Sequence, residues 1–106
     1  MNGVGRVLVE LTFLPKSEGG RSQLPKPPWN RDGHCGYMPH LVVVGSDEFL
    51  GVRFLIGPEP VVGEVAVYEL ELLYSGVDYS PLVPGAAVTV REGKSVVARG
   101  RILLVK

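Results

Sequence analysis

The run Glu64-Val65-Ala66-Val67-Tyr68-Glu69-Leu70-Glu71-Leu72-Leu73-Tyr74 sets Ala66, Tyr68, Leu70, Leu72 and Tyr74 on one side of an extended chain and Glu69 and Glu71 on the other. Successive side chains of a strand point to opposite faces, so this period of two predicts a half-buried strand with its glutamates in water. The same signature recurs on both sides of it. Arg6 to Leu14 sets Val7, Val9, Leu11 and Phe13 against Arg6, Glu10 and Thr12, and Leu50 to Ile56 alternates Val52, Phe54 and Ile56 with Gly51, Arg53 and Leu55. Leu41 to Val44 is a short apolar run, Ala86 to Arg91 carries Val88 and Val90, and Val96 to Val105 carries Ile102 and Leu104. Glu92-Gly93-Lys94-Ser95 between the last two reads as a hairpin turn.

Six short strands with no sustained 3.6-residue period predict one all-β domain over residues 1–106, a small antiparallel barrel or sandwich. The 14 glycines and 9 prolines suit a chain of short segments and sharp turns. Faces of period two must be buried together, so the expected core is Val7, Val9, Leu11, Phe13, Val52, Phe54, Tyr68, Leu70, Leu72, Val88, Val90, Ile102 and Leu104.

Pro15 to Pro39 breaks the pattern with Gly19-Gly20, Pro25, Pro27-Pro28, Gly33 and Gly36. Prolines at this density cannot donate ladder hydrogen bonds, and so long a connection in a small domain points to a function. Within it, Trp29 in Pro27-Pro28-Trp29-Asn30-Arg31 has two readings. Exposed, it is a binding anchor together with Arg31, because aromatic and arginine side chains carry much interface energy; folded back, it is a lid on the barrel.

Several chemistries lack a basis in the sequence. Eleven basic residues balance eleven acidic ones, so no overall field draws the chain to phosphate backbones. No G-x-x-x-x-G-K-[ST] stretch cradles a phosphate, and nucleotide binding is expected to be absent. His34, Cys35 and His40 fall short of the four ligands of a structural zinc site, and Cys35 has no aligned base to make it a nucleophile. No metal, cofactor or enzymatic activity is therefore expected. The single cysteine and the lack of a leader-like or membrane-length apolar run lead to the expectation of a cytoplasmic protein without membrane contact.

Three ordered segments carry a family resemblance. Phe13-Leu14-Pro15-Lys16-Ser17-Glu18-Gly19-Gly20-Arg21 is similar to the strand and Glu-Gly-Gly-Arg turn that open the third, C-terminal domain of elongation factor Tu. Gly36-Tyr37-Met38-Pro39-His40 resembles that family's Gly-Tyr-Arg-Pro-Gln, with Met38 and His40 in place of its Arg and Gln. Val90-Arg91-Glu92-Gly93-Lys94-Ser95-Val96-Val97-Ala98 resembles its final hairpin. The resemblance spans Arg6 to Lys106 and implies a six-stranded antiparallel barrel. It lies wholly outside the family's GTP-binding domain, so no GTPase activity follows from it. In the family the Arg-Glu-Gly hairpin touches the T-stem of tRNA, which by resemblance nominates Arg91, Glu92 and Gly93, and the Gly-Gly-Arg turn nominates Arg21.

Two functions follow as expectations. The first is a non-catalytic module that binds another protein through one barrel surface and the 15–39 loop. The second is an RNA-binding module using the Arg21, His40 and Arg91 surface.

Overall fold

Each alternating run becomes a strand, and the strands close on one another. The computed structural model describes residues 5–20, 23–29 and 36–106. The strands are β1 (Gly5–Phe13), β2 (His40–Val43), β3 (Leu50–Ile56), β4 (Val65–Leu72), β5 (Ala87–Glu92) and β6 (Ser95–Val105), and they form a closed barrel in the order β1-β4-β3-β2-β5-β6. Every neighbouring pair is antiparallel. Closure leaves no strand with a free edge, which removes the usual route to edge-to-edge association.

The inward faces meet as the periodicity requires. Val7, Val9, Leu11, Val52, Phe54, Leu70, Val90 and Ile102 are wholly buried, and Phe13, Tyr68, Val88 and Leu72 nearly so. Truncating Leu70 to alanine is expected to cost about 3 kcal/mol, because its methyl groups leave a cavity that the closed barrel collapses into only partly. The urea denaturation midpoint measures this, and an unchanged midpoint would mean that Leu70 is not packed in the core.

Three expectations need correcting, two of them for the same reason. Leu104, expected in the core, is 47% exposed. A bulge on β6 pairs Val9 with Ile102 but Leu8 with Leu104, so one extra residue turns Leu104 outward with Leu8. Ile56 is also turned out, 60% exposed, because a second bulge pairs Phe54 with Leu70 but Ile56 with Glu69. The run ending at Tyr74 stops at Leu72. There the Leu73 amide still donates to the Gly51 carbonyl, and the Tyr79 hydroxyl closes the ladder by accepting from the Leu73 and Tyr74 amides and donating to that same carbonyl.

The 15–39 connection is not structureless in its described parts. Lys16–Glu18 form a 3-10 turn, Leu24 packs against the core, and Trp29 is buried in it. The Phe54 and Val52 amides donate to the Tyr37 and Pro39 carbonyls, which extends the β2–β3 pairing back into the loop.

Candidate functional site

The nominated elements converge on one end of the barrel and the adjoining wall. Phe13 at the end of β1 pairs with Ala98 near the start of β6, Thr12 with Val65 at the start of β4, and Glu92 with Ser95 across the hairpin. That end therefore carries the Gly19-Gly20 turn, the Trp29 segment and the Arg91-Glu92-Gly93 hairpin together. Gly19 and Gly20 share an open pocket with Glu92, Ser95 and Val97. The turn and the hairpin, 72 residues apart from Gly20 to Glu92 in the sequence, are thus neighbours in space.

Both turns also have a purely backbone role. Gly19 has φ 99° and Gly93 φ 60°, left-handed conformations that side chains with a β-carbon rarely adopt. The Tyr37 hydroxyl donates to the Glu92 carboxylate, which ties the loop to the hairpin.

Trp29 is 4% exposed and folded back over the barrel end. Its ring lies 5.1 Å from Phe54, 6.0 Å from Tyr68 and 6.3 Å from Tyr37, and its Nε1–H donates to the Gly57 carbonyl at 3.0 Å. In this position it is the lid of the two readings, with no ring face left for an exposed anchor. Arg21, Arg31, His34 and Cys35 lie outside the described residues.

His40 and Arg91 are brought together by the β2–β5 register, which pairs them directly. Leu41 and Val90 beside them point inward, so both side chains lie on the outer wall. Between them stands Phe49, 42% exposed: the His40 ring meets it edge-on at 5.6 Å, and the Arg91 guanidinium sits 5.7 Å from its centre. The Arg91 Nε–H donates to the Thr89 hydroxyl at 3.2 Å, which steadies the guanidinium over the ring. Phe49 is the residue that pattern reading passed over. Its signal is an aromatic side chain directly after the polar turn Ser46-Asp47-Glu48, where no strand face requires one.

The opposite wall, formed by β4 and β1, corrects a further expectation. Glu69 and Glu71 are only 7% and 6% exposed rather than solvated. Arg6 Nη1 and Lys106 Nζ reach Glu69 at 2.9 and 3.0 Å, and Arg53 pairs with Glu71. Burying a carboxylate is costly unless it is paired and hydrogen-bonded, and cations from β1, β3 and the residue after β6 satisfy that condition here.

The hydrogen bond from Lys106, and after it that from Arg6, holds the Glu69 carboxyl below its ordinary 4.5. The unfolded chain thus takes up this proton at a higher pH than the folded one. The stabilisation is complete above the ordinary value and is lost as pH falls through the lower folded one. Melting temperature is expected to fall with acidification in that window, and Glu69→Gln to flatten the fall. An acid slope unchanged in Glu69→Gln would mean the pairing contributes nothing.

Among the described residues no three of His, Cys, Asp and Glu come together as metal ligands. No helix among them is long and apolar enough to cross a membrane. No protein-family model matches the chain, and no curated protein is similar to it.

Proposed function

We propose that this protein is a non-catalytic, cytoplasmic module, similar to the third barrel of elongation factor Tu, that binds another protein through the β2–β5 wall and the adjoining barrel end. The observation that carries this reading is Phe49, an aromatic ring held in solvent between His40 and Arg91. Phe, Met and Arg are enriched in protein interfaces, and Met38, 41% exposed, stands two residues ahead of His40. The ring is already ordered by its neighbours, so docking on it costs little side-chain entropy. Glu92 and Gly93 continue the surface at the hairpin. The neutral overall charge and the Glu92 carboxylate beside Arg91 weigh against phosphate backbones as the ligand.

The test is the double substitution Phe49→Ala with Arg91→Ala in the full chain. Proteins recovered from the source cell by the parent chain and lost from a variant of unchanged melting temperature support the reading. Binding of tRNA by the parent that weakens steeply with salt, without any protein depending on Phe49, would give the wall to RNA instead.

A further inference from the structure

In a chain of zero net charge, the last hairpin is one-sided. From Ala87 to Val105, β5, its turn and β6 carry Arg91, Lys94, Arg99 and Arg101 against one acid, Glu92. Arg101 is already engaged by the Glu10 carboxylate at 3.1 Å, and Glu92 accepts from the Tyr37 hydroxyl. Arg91, Lys94 and Arg99 form no ion pair among the described residues, and Lys94 and Arg99 are exposed.

The register sets two of these cations beside Phe49. Thr89 is paired with Arg99 across the hairpin, and its hydroxyl accepts from the Arg91 Nε–H at 3.2 Å. Arg91 and Arg99 thus flank Thr89 on diagonal positions of the outer wall, where long side chains of neighbouring strands reach one another. On the other side of Arg91 lies the Phe49 ring, 5.7 Å from the guanidinium and 42% exposed. Two guanidinium groups so placed repel each other, and a carboxylate set across them relieves the repulsion while accepting charge-assisted hydrogen bonds from both.

We propose that the partner of the Phe49 surface docks an acidic segment here, with a carboxylate across Arg91 and Arg99 and a neighbouring apolar side chain on the Phe49 ring. The assignment rests on the protein-binding role and adds the partner's chemistry. The positive area is short and bounded by acids: Asp47 and Glu48, both exposed, directly precede Phe49, Glu10 stands on Arg101, and Glu92 follows Arg91. An area of this size suits one or two carboxylates. A nucleic-acid backbone, gripped through about 6–10 phosphates, would run onto the flanking acids.

Nitrogen-15 spectra that record the arginine Nε–H groups of the full chain test this, with the peptide acetyl-Glu-Phe-Glu-amide added to millimolar concentration. The Arg91 and Arg99 signals are expected to move together and saturably, that of Arg101 to move little, and the matching Gln-Phe-Gln peptide to leave all three in place. Arg99→Gln is expected to weaken binding by about fivefold without changing the melting temperature, and Phe49→Ala to weaken it as well. Signals indifferent to Glu-Phe-Glu, an equal response to Gln-Phe-Gln, or an Arg99→Gln chain that binds like the parent would each overturn the proposal, as would a uridine octanucleotide that moves the two signals where the peptide does not. If protein partners recovered from the source cell still depend on Phe49 in such a case, only the acidic segment is refuted and the protein-binding role stands.

Discussion

Gly100→Ala is expected to destabilise the barrel severely. Gly100 is paired with Leu11 on β1, and a β-carbon at position 100 would stand 1.6 Å from the Glu10 carbonyl oxygen, 2.7 Å from its carbon and 3.0 Å from the Leu11 Cα. These are backbone atoms of a strand held on both sides, by β4 and by β6, so no side-chain rotation relieves the overlap. Either β1 and β6 separate or the ladder shifts, and a register shift by one residue would turn a whole face outward. A loss of about 4 kcal/mol or more follows, a large share of the total stability of about 5–15 kcal/mol that a domain of this kind has. Gly93→Ala is the control: at φ 60°, with nothing within 4 Å of the added carbon, it should cost only about 1 kcal/mol. Urea denaturation and near-ultraviolet circular dichroism measure both. A Gly100→Ala chain with the parent midpoint would mean that the two strands do not approach as closely as described.

The strands were legible because alternation needs only local sequence. Leu50–Ile56 is predicted and observed with the same bounds, and the other five differ by a residue or two at their ends. The faces were legible only as far as the first bulge. Leu55 and Leu103 each add a residue to one strand of a pair, and nothing in their composition marks them, so the parity that correctly buries Phe54 and Ile102 fails at Ile56 and Leu104. The glutamates failed for a different reason. The alternation of β4 correctly puts Glu69 and Glu71 on the outer side, but whether an outer residue is solvated depends on what stands beside it. Arg6, Arg53 and Lys106 come from β1, β3 and the residue after β6, which only the barrel order makes neighbours.

The candidate site divides along the same line. His40 and Arg91, nominated 51 positions apart, are directly paired because β2 and β5 are adjacent, a fact of topology rather than of local pattern. The Gly19-Gly20 turn and the Glu92 hairpin meet for the same kind of reason, where β1 ends beside the start of β6. Phe49 was hidden because it belongs to no periodic run. Val65 and Val67, by contrast, share the parity of Glu69 and Glu71 in the stretch that first reveals the fold. Their place on the outer side follows directly from that alternation.

Trp29→Ala is expected to destabilise the barrel by about 3–5 kcal/mol, more than any other single truncation of the connecting loop. The indole closes the end of the core against Phe54, Tyr68 and Tyr37, so its removal leaves three aromatic rings facing a void that no other side chain of the loop is placed to fill. The part-buried Gly57 carbonyl also loses its Nε1–H donor, which adds about 1 kcal/mol to the total. Trp29→Phe separates the two effects, since it keeps most of the ring contact and removes only the donor, and its loss should be the smaller by about half. Because the indole presents almost no surface to solvent, partner binding should fall in both variants only as far as the folded fraction falls. Trp29→Phe, still folded, should recover the same partners as the parent chain, whereas Phe49→Ala should lose them without a change in melting temperature. A Trp29→Ala chain that melts like the parent yet recovers no partner would reverse the assignment: the ring would then be the anchor of the binding surface, and the lid position would not be its working one.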